Sequence, residues 1–310
     1  MIFPGQGSQS VGMLAALAEQ YPEVQATFAQ ASEILGFDLW QIAQEGPTKR
    51  LDETVITQPV MLAAGVATWR AWRSGGGATP SNMAGHSLGE YTALVCSGSL
   101  EFADAIRLVT RRAELMQAAV PPGEGAMAAI IGLDDDAVIA ACDAAAQGQV
   151  VSAVNFNSPG QVVIAGERAA VERATQHAKA AGAKRALLLN VSVPSHCELM
   201  RPAAEQLAQA LAGTALAASS VPVTGNADVR TYEDAEQIRE GLAKQLYSPV
   251  RWTETIRELV GRGSSSVVEC GPGKVLTGLV KRIDRSIPAV CIDTRETMTT
   301  ALAEHAAPPN

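Results

Sequence analysis

The sequence predicts an α/β protein in two parts: a mainly parallel sheet flanked by helices, and a smaller β-α-β-β-α-β unit inserted into it. Three observations carry that expectation. Strand-like and helix-like segments alternate on both sides of the middle of the chain, the pattern of parallel strands joined by helical crossovers. Between them, AMAAIIGL, DDDAVIAACDAAA, QVVSAVN, QVVIAG, ERAAVERATQHAKAAG and AKRALLLNV run as strand, helix, strand, strand, helix, strand over residues 124–192. That order is a complete split-βαβ unit of the ferredoxin-like kind. The third observation is GHSLGEYTAL at residues 85–94, where a serine stands between two glycines, after a short apolar run and before a helical one. A sharp strand-to-helix turn needs such glycines, because a side chain at either flank would collide with the other element.

Taken in order, only Met1 to Phe3 precede Pro4, so the first strand is short. Residues 13–36 and 60–73 carry apolar side chains at helical spacing, with Gly36 and the Gly75, Gly76, Gly77 triplet as stops. EFADAIRLVTRRAELMQAA, residues 101–119, is another helix, ended by Pro121, Pro122 and Gly123. Inside the inserted unit, Asn157, Ser158, Pro159 and Gly160 form a turn. Beyond it come helices at 198–212, 233–246, 252–262 and 274–283, and strands near Val221–Thr224, in SSVVEC and in PAVCID. The ending HAAPPN is expected to fray. The larger part is therefore discontinuous, residues 1–123 and 193–310, around an inserted 124–192.

Composition excludes several functions. With 310 residues, 47% of them hydrophobic and 18% charged, the chain can bury a large core. A net charge of −8, with no basic run longer than two residues, repels a polyanion, so no nucleic-acid partner is expected. No run of eighteen apolar residues and no basic-then-apolar leader is present, so neither a membrane span nor a secretory signal is expected. The five cysteines are scattered without a Cys-x-x-Cys pair, which suits reduced thiols in a cytoplasm and argues against a metal site.

A serine raised on a tight turn needs a base, and histidine is the usual one. The chain has four. His177 lies on a polar helix face, His305 in the loose ending, and His86, next to Ser87, is better placed to support a pocket than to take its proton. His196 in NVSVPSHCELM remains, at the junction where the inserted unit hands back to the larger one, a place where clefts form. The alternative is a structural histidine near a helix start. No acid near it announces itself as an orienting partner; Glu198 reads as a helix cap, and Cys197 as a small buried filler. In the helix at 101–119, Arg111 shares a solvated face, whereas Arg112 shares a stripe with Leu108, Leu115 and Ala119. A cation there must be paired, either by an internal carboxylate or by the carboxylate of a substrate. FPGQGSQ at residues 3–9 offers backbone amides to an oxyanion but lacks the lysine of a phosphate-binding loop. ECGPGKVL at 269–276 reads as a packing turn.

FPGQGSQ, TQP at 57–59, GHSLGEY, the arginine helix, VNFNSPGQVVIAG, VSVPSH, QLYSPVRW and GPGKVLTGL occur in that order. Together they resemble the bacterial malonyl-CoA:acyl carrier protein transacylases over essentially the whole chain. The resemblance implies an α/β-hydrolase-like large subdomain with the ferredoxin-like unit inserted. It also implies Ser87 as nucleophile, His196 as general base and acid, and the main-chain carbonyl of Gln245 in place of the missing acid. Backbone amides of Gln6 and Leu88 would form the oxyanion hole, Arg112 would hold the malonyl carboxylate in a two-pronged pair, and Gln58 and His86 would line the pocket. A branched aliphatic residue after the serine, Leu88, is similar to the malonyl-selective members. Malonyl-CoA would be a substrate and acyl carrier protein the partner, with no tightly bound cofactor and no metal, in a cytoplasmic monomer serving fatty acid or polyketide assembly. Because such carriers are acidic, Lys281 and Arg282, near Arg285, are the expected docking patch, with Lys184 and Arg185 as a second possibility. A serine hydrolase using water as acceptor, and a non-catalytic carrier-binding module, are the competing readings.

Overall fold

The structure, a computed structural model, describes residues 1–191 and 193–307. Strand β1 (Ile2–Phe3) leads into α1 (Ala15–Ala18), α2 (Pro22–Leu35), α3 (Leu39–Glu45), α4 (Thr48–Leu51) and α5 (Thr54–Ser74). Next come β2 (Met83–Gly85), α6 (Gly89–Cys96) and α7 (Phe102–Ala119). The inserted unit holds β3 (Gly125–Ile131), α8 (Asp135–Ala146), β4 (Val151–Ser158), β5 (Gln161–Glu167), α9 (Arg168–Ala180) and β6 (Arg185–Leu188). The return contains α10 (Arg201–Ala212), β7 (Val223–Thr224), α11 (Ala235–Gln245) and α12 (Trp252–Gly261). It closes with β8 (Val267–Glu269), α13 (Val275–Ile283), β9 (Ala289–Cys291) and α14 (Arg295–His305).

Five strands form one parallel sheet in the order β7-β2-β1-β8-β9. Central β1 pairs with β2 on one side and β8 on the other, which is why a two-residue strand suffices and why both its side chains are fully buried. The other sheet is antiparallel, ordered β4-β5-β3-β6, with α8 and α9 packed on one face. The molecule thus joins an α/β-hydrolase-like subdomain to a ferredoxin-like one. They meet where β4 runs beside the segment before α12: Phe156 N–H donates to Val250 O at 3.0 Å and Val250 N–H to Val154 O at 2.8 Å. At one end of the small sheet, Ile131 sits between Arg185 of β6 and Gln161 of β5, a single row across three strands.

Several expectations need correction. The helix anticipated over 13–36 is two, α1 and α2, because Pro22 cannot extend a helix arriving from Tyr21 but suits the first turn of a new one. Helix α5 starts at Thr54, ahead of the periodic stretch at 60–73, because it is buried on every face from Ile56 to Thr68 and so shows no stripe to read. Helices α3 and α4 were not anticipated. Strand β6 stops at Leu188, and β4 runs through to Ser158, so Asn157 is a strand residue and only Pro159 and Gly160 turn. His305 ends α14; its carbonyl accepts from Ala78 N–H at 3.0 Å, and Ala306 bridges Gly77. The last three residues of the ending expected to fray, and the boundary placed at 192, lie outside the described residues.

Candidate active site

The turn between β2 and α6 raises Ser87. A Cβ on Gly85 would fall 1.9 Å from the carbonyl of Gly89, and one on Gly89 would fall 2.1 Å from Phe3 O, so strand and helix can approach this closely only with glycine at both positions. Ser87 has φ of 52°, a conformation that costs a non-glycine residue free energy unless its surroundings hold it. Asn226, just beyond β7, does so: Ser87 N–H donates to Asn226 Oδ1 at 2.6 Å, and Asn226 Nδ2 donates to Gly85 O at 2.7 Å.

His196 comes from the return segment, with φ of 67° and its amide donating to Leu246 O at 3.0 Å. Its Nε2 lies 2.8 Å from Ser87 Oγ and its Nδ1 lies 2.8 Å from the main-chain oxygen of Gln245. A carbonyl can only accept, so Nδ1 carries the hydrogen and Nε2 presents a lone pair to the serine hydroxyl. Burial lowers the imidazole pKa to about 3, assisted by the Arg112 charge and opposed by the Gln245 carbonyl. The ring is neutral at pH 7, as a base must be.

Arg112, 2% exposed, projects from α7 into the same place. Nη1 donates to Gln58 Oε1 at 2.8 Å, while Nη2 donates to Gln245 Oε1 at 3.0 Å and to Ser87 Oγ at 3.3 Å. The guanidinium also lies over the Tyr91 ring, 5.6 Å from its centroid. Of the two partners open to it in the sequence, an internal carboxylate is not in direct contact among the described residues; the side-chain oxygens it meets are two amides and the Ser87 hydroxyl. Arg111 is exposed beside Glu114.

Gln6, in the turn after β1, lines the same cavity of about 130 Å³ as Ser87, His86, Asn155 and His196. Leu88 is the N-cap of α6, where the first amides of a helix have no intrahelical acceptor. His86 turns away from the nucleophile, its Nε2 2.8 Å from Asn157 Oδ1 and its ring edge-on to Trp252 at 5.3 Å. Burial lowers its pKa as well. Glu198 is a surface residue paired with Arg201, not the cap of α10. Cys197 is buried, its thiol donating to Pro194 O at 3.2 Å and pushed up to about 12 by burial. His177 is exposed on α9. Lys281, Arg282, Lys184 and Arg185 are all exposed, and Arg282 donates to Gln161.

Sequence reasoning missed Glu90, Asn226 and Tyr232, which with Gln245 make a buried polar cluster behind Ser87. Glu90 is fully buried; its carboxylate accepts from Tyr232 OH at 2.5 Å, Gln245 Nε2 at 2.8 Å and Asn226 N–H at 3.0 Å. Burial pushes that carboxyl up while the three donors pull it down. The available signal was an acid alone at the start of an apolar helix, in GEYTALVC.

A family model described as the acyl transferase domain matches residues 1–302. The chain belongs to that family. A malonyl CoA-acyl carrier protein transacylase of Salmonella typhimurium is 56% identical over 303 residues, covering 98% of each chain. A solved complex of a type II PKS acyl-carrier protein with its malonyl-transacylase is similar at 56% identity and TM-score 0.97, covering 98% of this chain and 99% of that one. The acyl carrier protein S-malonyltransferase of Vibrio cholerae matches at 56% identity and TM-score 0.95, covering 96% and 98%. The chain is thus a transferase, of the acyltransferase kind. Among the described residues, no helix is long and apolar enough to cross a membrane, and no group of three or more His, Cys, Asp or Glu could hold a metal ion.

Proposed function

We propose that this protein moves the malonyl group of malonyl-CoA to the phosphopantetheine thiol of an acyl carrier protein, through a malonyl ester on Ser87. The observation that carries this reading is a buried, positively charged Arg112 whose Nη2 lies 3.3 Å from the Ser87 hydroxyl, with amide oxygens as its side-chain partners. A charge so placed is poised for a carboxylate that arrives with the acyl group. A plain esterase has no use for it.

Ser87 Oγ attacks the thioester carbonyl carbon while its proton passes to His196 Nε2. The carbonyl oxygen becomes an oxyanion facing the amides of Gln6 and Leu88. The C–S bond then breaks, His196 returns the proton to the CoA sulfur, and Ser87 keeps the acyl group. In the second half, the carrier thiol gives its proton to His196 and attacks the ester; the proton then returns to Ser87 Oγ. The Gln245 carbonyl holds Nδ1–H throughout, so the same nitrogen takes and gives the proton. Gln58 and His86 shape the pocket.

We read the inserted subdomain as residues 124–192 and the enzyme as a cytoplasmic monomer with no tightly bound cofactor and no nucleic-acid partner. Its product serves fatty acid or polyketide assembly. For the carrier, the two basic pairs combine into one docking rim. Arg282 reaches Gln161, which shares a row with Arg185 about 10 Å away, two strand spacings. Mixing the protein with malonyl-CoA and measuring intact mass tests the central reading. A malonyl adduct that is absent in Ser87→Ala and is discharged by holo carrier protein is the expected result. Free malonate released without an adduct would instead identify a hydrolase.

A further inference from the structure

Arg112 carries a buried charge, yet its side-chain partners are neutral, and the position of one of them is decided elsewhere. Gln245 presents Oε1 to Arg112 Nη2 at 3.0 Å, and its Nε2 donates to Glu90 Oε2 at 2.8 Å and to Ser87 O at 3.0 Å. Rotating that amide by half a turn would set an NH2 against the guanidinium and an oxygen against the carboxylate, two repulsive contacts in a dry site. Glu90, the charged acceptor beside Ser87 O, therefore helps fix which way the amide faces. The same residue's main-chain oxygen is the acceptor for His196 Nδ1.

Glu90 is itself fixed. Tyr232 OH reaches Oε1 at 2.5 Å, and the approach is left open by two glycines: a Cβ on Gly225 would meet the hydroxyl at 2.3 Å and one on Gly241 at 2.1 Å. Asn226 N–H donates to Oε2 at 3.0 Å, and the Asn226 side chain is the clamp on the Ser87 amide. No hydrogen bond links Glu90 directly to Ser87 Oγ, His196 or Arg112 among the described residues, so apart from the through-space pull of its charge on Arg112, its contacts reach the site through Gln245 and Asn226.

We infer that Glu90 is a positioning residue that sets acyl selectivity: by fixing the Gln245 amide, it aims Arg112 at the carboxylate of the incoming acyl group. The inference rests on the malonyl-transfer reading. It implies that loss of Glu90 harms transfer of an acyl group bearing a carboxylate more than transfer of one without.

The test compares initial rates of malonyl and acetyl transfer from their CoA esters to holo carrier protein, together with thermal unfolding, in wild type, Glu90→Ala and Glu90→Gln. Glu90→Ala is expected to lower the malonyl-to-acetyl ratio roughly tenfold, the size of one charge-assisted hydrogen bond. Glu90→Gln is expected to restore the ratio to within about threefold, a span of well under one such bond. Its oxygen can accept from Gln245 and Asn226 while its NH2 meets the Tyr232 oxygen. A purely structural role would reduce both transfers together and leave the ratio unmoved. An unchanged ratio in Glu90→Ala, or a Glu90→Gln as unselective as Glu90→Ala, would overturn the inference. If Glu90→Ala folds too poorly to assay, Tyr232→Phe carries the test: a fall in the ratio of about threefold supports it, again below the value of a full bond, and a wild-type ratio rejects it. Failure of the wild-type protein to transfer malonyl at all would strike the functional reading instead, so the two failures are separable.

Discussion

The two walls of the Ser87 cleft are built on opposite principles. The floor comes from the large subdomain: Ser87, Arg112 and Gln245 are each held by hydrogen bonds of 2.6–3.3 Å, and Arg112 and Gln245 are buried. The roof comes largely from the small sheet and the segment after it, where Met127, Val163, Leu189 and Val191 offer apolar surface, and Leu189 is 37% exposed. A floor of this kind fixes atoms to a fraction of an ångström, which reaction geometry requires. A roof of apolar area favours contact without dictating pose, and that suits a cleft that admits first one thioester and then a different thiol. Changes to the floor should therefore be severe and acyl-specific, and changes near the roof mild and confined to binding.

The largest effect is expected at Arg112. In Arg112→Ala the malonyl carboxylate enters a buried site without its cation, costing about 3 kcal/mol or more, a hundredfold in malonyl transfer. Acetyl transfer, which never needed the charge, should be kept or improved, because an apolar methyl no longer enters beside a buried cation. Steady-state rates with the two CoA esters decide the matter. Equal losses for both would make Arg112 part of the scaffold and remove the distinction between the two walls.

The pairing of Ser87 with His196 was legible because each residue type is scarce in the right context: one serine on a glycine elbow, one histidine left after three were set aside. The fold was legible because the inserted unit keeps clean strand and helix periods. What stayed hidden shares a physical cause. Helix α5 has no polar face to give a stripe, and Glu90, Asn226 and Tyr232 act only where α6 meets the segment between β7 and α11, since 136 to 142 positions separate Glu90 from the other two. Arg112 was flagged by its stripe, but whether a protein carboxylate met it was a question of tertiary packing.

A smaller effect separates the floor from ordinary buried polarity. His196 has a folded pKa of about 3 against 6.5 unfolded, so between those values the unfolded chain holds a proton that the folded one refuses. Stability is then undiminished above pH 6.5 and declines as pH falls toward 3, by at most about 1.4 kcal/mol per pH unit. His196→Gln should lose less stability than wild type between pH 7.5 and 5 in thermal unfolding, and parallel curves would contradict the assignment. Acylation of the wild type by malonyl-CoA should show no acid limb near pH 6.5. In Arg112→Ala, with a cation removed from beside the ring, any limb should move upward.

The weakest response is expected outside the cleft lining, where Lys281, Arg282, Lys184 and Arg185 stand exposed. Solvated charges of this sort contribute about 0–1 kcal/mol each and are screened by salt, so they act on encounter more than on the bound state. Reversing Lys281 and Arg282 to Glu should raise the apparent KM for an acidic carrier protein severalfold at low ionic strength. The difference should shrink in 0.5 M salt, where the screening length is below about 5 Å. Malonyl adduct formation on Ser87, which does not involve the carrier, should keep its rate within about twofold if each charge acts as weakly as solvated groups do. If the carrier spans both pairs, adding reversal of Lys184 and Arg185 should deepen the KM effect, because Gln161, which Arg282 contacts, lies in one row with Arg185. If the first two reversals suffice and the second two add nothing, carrier protein uses the α13 side alone and the rim is not one surface.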